Sequence, residues 1–197
     1  MTKSDGSEGQ LAPRSSHLDP LRASVIPVRL EKFNVGAHGS LIEPLTHLLH
    51  EAYSPLAARG LRYTATYQTP AQTLERLLDG ESYLAFHDED LIGTITLYPE
   101  RTSSSCEYYR RSGVVSFGQF GISLGLQGNG IGSEMMNKIE ARARALGAKY
   151  LALDTSENAD HLIKMYEKRG FFRVGFTQWS DTNYRSVIMS KSLQAKI

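Results

Sequence analysis

The stretch GLQGNGIGSEMMNKIEARARALGAKYLALDT, running from Gly125 to Thr155, constrains the fold more than any other part of the chain. It opens on four glycines, Gly125, Gly128, Gly130 and Gly132. Ile131, Met135, Ile139 and Ala143 then recur at one-turn spacing, which predicts an amphipathic helix over 131–146. Gly147 supplies its stop, and KYLALDT reads as a buried strand. The segment VVSFGQFGISL before the glycines (Val114 to Leu124) reads as a strand too, with Gly118 and Gly121 marking a bulge or a close approach. Strand, helix and strand in that order imply a parallel pairing, because the helix carries the chain back to the end where it started.

The flanking segments predict antiparallel partners for that unit. VIPVRLEKF (Val25 to Phe33) reads as a first strand. Leu41, Leu45, Leu48 and Leu49 give a helix with Pro44 near its start, where proline is tolerated. Thr69 and Pro70 open a short second helix that ends before Gly80. SYLAFH and LIGTITLY form a hairpin around the turn DED. Leu162, Met165, Tyr166 and Arg169 mark a helix stopped by Gly170, and FFRVGFTQW with YRSVIMSKSL closes the sheet. The expected fold is α/β: a mixed, twisted sheet of about seven strands, mostly antiparallel with one central parallel pair, and helices on both faces. Residues 1–24, rich in Ser, Gly and Pro, read as a flexible tail before a single domain over 25–197.

Charge and cysteine content narrow the function. With 22 Lys+Arg against 21 Asp+Glu, the formal charge is +1, so no nucleic-acid footprint and no polybasic membrane surface is expected. No apolar run reaches the ~18 residues of a spanning helix, and the first residues lack a secretory h-region. Cys106 is the single cysteine, which excludes an internal disulfide and a multi-cysteine metal site and fits a reducing, cytoplasmic setting. The absence of a strongly acidic patch argues against polycationic acceptors.

The glycines before the helix carry the chemistry. A helix start exposes N–H groups with no partner, at the positive end of the helix dipole, and such a site suits phosphate oxygens. Glycine lets those oxygens reach the backbone. The G-x-x-x-x-G-K-[ST] loop fails because no Lys follows the glycines. The G-x-G-x-x-G loop fails at its third glycine, where Ser133 stands, and lacks a ribose-binding acid unless Asp154 is pressed into that role. Gln127, Gly130 and Gly132 satisfy a third template, Q/R-x-x-G-x-G/A.

On that template the chain resembles the GNAT N-acetyltransferase family. FGISLGLQGNGIGSEMM is similar to the family's strand, pyrophosphate loop and helix; IKMYEKRGFFRVG resembles its second signature, and SVIMSKSL its final strand. The resemblance runs from about Val25 to Leu193, clearly from Ser82 onward, and departs from the pattern at Leu124, where the family usually has Pro, and at Ala159, where it often has Asn. It implies that the central strands splay and that acetyl-CoA lies between them. Phe120 and Ile122 would pair with pantetheine, the loop Gln127, Gly128, Asn129, Gly130, Ile131, Gly132 and Ser133 would hold the pyrophosphate, and Asn158 would touch the cofactor. It also implies Tyr166 as the acid that protonates the leaving thiolate. Against this stands the plainer reading of Tyr166 as a packing residue.

Glu107 is the candidate base, and a solvated loop carboxylate is the alternative. Arg62, Tyr63, Tyr67 and Gln68 between the first two long helices are candidates for binding a carboxylate-bearing acceptor, or form a structural loop. The expected activity is direct transfer of an acetyl group from acetyl-CoA to a primary amine of a small molecule or peptide. No metal, nucleic acid or membrane is expected, and a homodimer is compatible with the sequence. A non-catalytic acyl-CoA sensor is the alternative.

Overall fold

The computed structural model describes residues 26–194; the tail reading of residues 1–24 lies outside them. In chain order the elements are β1 (Arg29–Lys32), α1 (Val35–His38), α2 (Ile42–Ala58), α3 (Pro70–Leu78), β2 (Glu81–His87), β3 (Asp90–Tyr98), β4 (Val114–Ile122), α4 (Ile131–Ala145), β5 (Tyr150–Ser156), α5 (Asp160–Lys168), β6 (Phe172–Thr177) and β7 (Ser186–Ser192). The strands form one seven-stranded sheet in the order β1-β2-β3-β4-β5-β7-β6. Every neighbouring pair is antiparallel except β4 and β5. No helix among the described residues is long and apolar enough to cross a membrane.

Local sequence explains most of these elements. Thr69 caps α3 by accepting from the Gln72 N–H, while the Gln72 side chain accepts from the Thr69 N–H, so two orphan donors are satisfied reciprocally. Gly147 and Gly170 close α4 and α5 in the left-handed region, at φ 76° and 84°. Gly80 has a different reason. A Cβ there would lie 2.4 Å from the Leu97 carbonyl oxygen, so close packing of the α3–β2 junction on β3 demands glycine. The short helix α1 went unread in the sequence. Asn34 caps it, its side chain accepting from the Ala37 N–H.

The core lies on both faces of the sheet. Ile131, Met135, Ile139 and Ala143 of α4 are all buried against Ile95, Leu97, Val115, Phe117, Leu151 and Leu153. Leu45 and Leu49 of α2 and Leu77 of α3 cover the other face over Leu84 and Phe86. At about 1.5–3 kcal/mol per fully buried large apolar side chain, this two-sided burial is the main term favouring the fold.

The parallel pair is short. β4 and β5 are in register only at Val114↔Tyr150, Val115↔Leu151 and Ser116↔Ala152. Beyond Ser116, β4 keeps its bonds to β3, and beyond Ala152, β5 keeps its bonds to β7. The two strands therefore part while each remains paired on its other side. A bulge in β4 helps to turn it away. Gln119 sits at φ 44°, and the β3–β4 register shifts between Thr94 and Thr96. Gly118 and Gly121 flank that residue as the sequence suggested. A Cβ on Gly121 would meet Leu49 of α2 at 2.8 Å, and one on Gly118 would meet the Tyr98 ring at 3.1 Å.

One ion cluster ties α4 to the sheet edge. Glu81 accepts from Arg142 Nε (2.7 Å) and Nη2 (3.0 Å), from Lys32 Nζ (3.0 Å) and from the Tyr83 hydroxyl. Burial alone would raise its carboxyl, but the hydrogen bonds from Arg142, Tyr83 and Lys32 prevail and hold it at about 2, below an ordinary 4.5. A carboxyl lowered by folding stabilises the fold fully above its unfolded value and loses that contribution as pH falls toward the folded one. Arg142 and Lys32 are partly solvated, so the contribution is on the order of 1 kcal/mol. Denaturant unfolding between about pH 5 and pH 2 should show this loss, and Glu81→Gln should flatten that part of the curve.

Candidate active site

The parting of β4 and β5 opens a cleft of about 840 Å³, within the range usual for small-molecule sites. Its floor is Phe120, Gly121 and Ile122 of β4. Tyr53 and Leu56 of α2 form one wall and α5 the other. The helical stripe Leu162, Met165, Tyr166 and Arg169 read from the sequence is the wall of this cleft, while α5 meets the core through Ile163 and Tyr166.

The glycine loop closes one end. Gly128 and Gly130 hold φ 85° and 84°, where L side chains are strained, and an added Cβ at either would meet no atom within 4 Å. Gly130 is the N-cap of α4 and gives it no side-chain cap. The N–H groups of Gly128, Asn129, Gly130, Ile131 and Gly132 donate to no protein acceptor among the described residues. Those of Gln127 and Ser133 are engaged, with the Leu124 and Gly130 carbonyls at 3.3 and 2.9 Å. The loop is therefore a run of five free donors at the positive end of a helix. Gly132 serves packing as well, since a Cβ there would press on Ile122 and Phe120 at 3.1 and 3.3 Å. Ile131 offers only its N–H, its side chain being buried in the core. Lys164, Lys168 and Arg169 line the same cleft and add positive charge; Arg169 also pairs with Glu140. Together these features fit a ligand with a diphosphate at one end.

Two floor carbonyls already carry protein donors. The Tyr53 hydroxyl donates to the Phe120 carbonyl oxygen at 2.9 Å, and Gln127 Nε2 donates to that of Ile122 at 3.1 Å. Each carbonyl keeps a second lone pair for a ligand amide. Asn129 turns its side chain to the Leu126 carbonyl. Asn158 stands at the head of α5, where its carbonyl accepts from Arg59 and its N–H donates to the Ser156 hydroxyl, and it does not line the cleft.

Tyr166 reaches the cleft from α5 with 7% of its surface exposed. Its ring packs edge-on against Phe117 and Phe171 at about 6 Å, and its hydroxyl has no protein partner among the described residues. Burial, and then the charges of Tyr53, Tyr63 and Asp154, push its phenol well above the ordinary tyrosine range. It stays protonated at any physiological pH.

The remaining candidates do not gather in this cleft. Glu107 is 81% exposed on its side chain and stands near Arg111 on the surface. Gln68 is 1% exposed and committed to Thr73 and Arg76. Tyr63 bonds the Thr155 hydroxyl at 2.9 Å and packs between the tilted rings of Tyr53 and Tyr184. Arg62 lies over the Tyr67 ring. Their loop is laced to the β6–β7 connection: the Arg62 N–H donates to Asn183, and the Thr64 and Tyr67 hydroxyls donate to Asp181.

Beside the splay stands a group whose partners the sequence did not connect. Asp154 of β5 accepts from the Tyr109 hydroxyl at 3.0 Å and from Trp179 Nε1 at 2.8 Å, and those two rings stack on each other. Tyr53 went unread. Nothing local in the sequence marks either, because their partners come from distant segments. No group of three His, Cys, Asp or Glu residues that could hold a metal ion occurs among the described residues.

Comparison with known proteins agrees with this geometry. The sequence profile of the acetyltransferase (GNAT) family matches residues 43–171. The S-(2-succino)cysteine N-acetyltransferase of Bacillus subtilis (strain 168) is 27% identical over 154 residues, covering 77% of this chain and 90% of that protein. Two solved structures share the fold. A GNAT family acetyltransferase from Elizabethkingia anophelis with acetyl-CoA bound aligns at TM-score 0.58 and 15% identity, over 84% of this chain and 97% of that one. The PaiA N-acetyltransferase from Thermoplasma acidophilum in complex with coenzyme A aligns at 0.61 and 15%, over 84% and 99%.

Proposed function

Because the chain belongs to the acetyltransferase (GNAT) family, and is thus an acetyl-CoA-dependent N-acetyltransferase, we propose that it transfers the acetyl group directly to the primary amine of a small, amino-acid-like molecule. The observation that carries this reading is one cleft holding both the free N–H run Gly128–Gly132 and the unpartnered phenol of Tyr166. The first suits the diphosphate of acetyl-CoA and the second its sulfur end. A sensor that binds acyl-CoA without transfer is not favoured, since the curated relative is an enzyme.

In this reading Gly128 to Gly132 grip the pyrophosphate through backbone N–H groups, with Lys164 and Lys168 adding charge at the rim. Pantetheine runs along Phe120 and Ile122 as an added strand would. Tyr166 donates its proton to the departing thiolate as the C–S bond breaks. Its raised phenol keeps that proton available throughout the working range. The relative's name specifies an amino acid as acceptor, and Arg62 beside Tyr67 offers a guanidinium to an acceptor carboxylate. A cytoplasmic setting suits the supply of acetyl-CoA.

Thiol release over a panel of α-amino acids, S-(2-succino)cysteine, peptides and aminoglycosides tests the reading. We expect turnover on amino-acid-type amines and weak or no turnover on polycations; an active panel confined to aminoglycosides would reverse the acceptor assignment. Tyr166→Phe should lower kcat at least ~100-fold while leaving the acetyl-CoA Kd within a few-fold, as read by titration calorimetry. Wild-type kcat should show no loss from phenol ionisation up to about pH 10. Gly130→Val forces a β-branched residue into the left-handed region at the loop, and should weaken acetyl-CoA at least ~10-fold while the circular dichroism spectrum is kept.

A further inference from the structure

Two tyrosines bridge the gap between β4 and β5. The Tyr53 hydroxyl, from α2, donates to the Phe120 carbonyl oxygen of β4 at 2.9 Å. The Tyr63 hydroxyl, from the loop after α2, accepts from the Ser156 N–H of β5 at 3.0 Å and bonds the Thr155 hydroxyl at 2.9 Å. Their rings lie 5.4 Å apart, and Tyr184 backs Tyr63 at 4.8 Å. Leu56, Leu61 and Ala159 pack with the same rings. Each phenol is thus fixed at its hydroxyl by main chain and along its ring by a neighbour. Of the pair, Tyr53 lines the cleft. It also lies on the bare floor: Gly121 has no side chain, and a Cβ there would already touch Tyr53 Cε2 at 3.8 Å.

The bridge stands at one particular level of the cleft. β4 leaves the ladder at Ser116 and runs toward the glycine loop, and Ile122 is the end nearer that loop, bonded by Gln127. A carrier gripped at Gly128–Gly132 and laid along β4 passes Ile122 before Phe120, with its acyl end last. Tyr166 is level with that end, since its ring and the Phe120 ring both pack edge-on against Phe117, at 6.1 and 6.2 Å. The phenol assigned to the sulfur and the Tyr53 bond to Phe120 therefore meet the floor at the same place, one from each wall.

Resting on the acetyltransfer reading above, we propose that Tyr53 sets the length of acyl group the enzyme transfers. Its ring, locked between Phe120 and Tyr63, is the stop beyond the acetyl methyl, and a propionyl or butyryl chain collides with it. Nothing else in the transfer changes. Admitting two further methylenes would require Tyr53 to swing off the floor, giving up its bond to Phe120 and its packing on Tyr63. The helix behind it cannot yield instead, because Leu45 and Leu49 of α2 are buried in the core over Leu84 and Phe86. Close-packed surroundings of this kind reject added methylenes.

The test compares acetyl-CoA with butyryl-CoA on the full chain, using one amine accepted by the wild type. The wild type should favour acetyl-CoA by ~30-fold or more in kcat/KM, in line with what a tight pocket gains per methylene. In Tyr53→Ala that ratio should fall below ~5-fold. Tyr53→Phe keeps the ring and should hold the ratio within ~3-fold of wild type. Each ratio is taken within one protein, so a general loss of activity or of cofactor affinity cancels, and a merely structural role for Tyr53 leaves it unmoved. Tyr53→Leu reads the same ratio should Tyr53→Ala fail to fold. A wild type indifferent to acyl length, a preference unchanged in the shortened variant, or a Tyr53→Phe as permissive as Tyr53→Ala overturns the assignment. A wild type that turns over no amine with either thioester sinks the acetyltransfer reading, and the ratio of calorimetric Kd values for the two thioesters, which needs no acceptor, still reads the stop. An active wild type whose preference survives Tyr53→Ala sinks only the stop.

Discussion

Three residue pairs of parallel ladder hold the middle of this sheet together, and the rest of the molecule is arranged around the point where that ladder stops. Backbone N–H and C=O groups must be paired or solvated, so two central strands cannot part inside a protein unless something else meets their free edges. Here each strand keeps its outer partner past that point, β3 for β4 on both sides of the bulge at Gln119 and β7 for β5 through Ser156. The inner edges are left to side chains and to a ligand. Tyr53 and Gln127 already bond carbonyls of β4 there, and Tyr63 accepts from the Ser156 N–H on β5. The edges are thus partly satisfied by the protein and still offer main-chain acceptors to a chain-like cofactor.

The same parting sets the electrostatics. Tyr53 and Tyr166 line the opening, Tyr63 packs on Tyr53 and Tyr184 on Tyr63, and burial raises every one of them. Burial penalises the charged form of a phenol, so the lining is rich in hydroxyl donors yet free of phenolate. Positive charge is kept to the rim, at Lys164, Lys168 and Arg169, and to the head of α4. An anionic carrier approaching that end meets an attractive potential, which favours one orientation in the cleft over its reverse.

How far the sequence foretold this depends on the range of the cause. The α4 stripe, the Thr69 cap, the hairpin and the glycines after α4 and α5 are local signals, and the structure follows them. The glycine loop was legible because its reason, free N–H groups at a helix start, is local too. Gly80 looked like a helix stop, but its requirement is set by Leu97 across the hairpin. Residues 99–113, between β3 and β4, are anchored by Tyr108 to Ser190 and by Tyr109 to Asp154, 82 and 45 residues away in sequence. Glu107, the candidate base, directly precedes those tyrosines, yet one residue of register separates an inward phenol from a solvated carboxylate. Asp154 entered the sequence analysis only as a forced ribose-binding acid, because Trp179 and Tyr109, which bond it, come from segments with no pattern of their own.

The geometry also bears on the route of transfer. An acyl-enzyme route needs a nucleophile that the thioester can reach, with a base within hydrogen-bond range. Cys106 is the sole thiol of the chain, and it is buried beneath Tyr109 against Val114, Ala152 and Ile188. Its N–H donates to the Ser104 hydroxyl. To accept an acyl group it would have to leave that cluster and expose the apolar contacts that anchor the segment before β4. Direct attack requires no such movement. The cleft floor at Phe120, Gly121 and Ile122 is open where the ladder ends, and the sheet itself holds the two strands apart there.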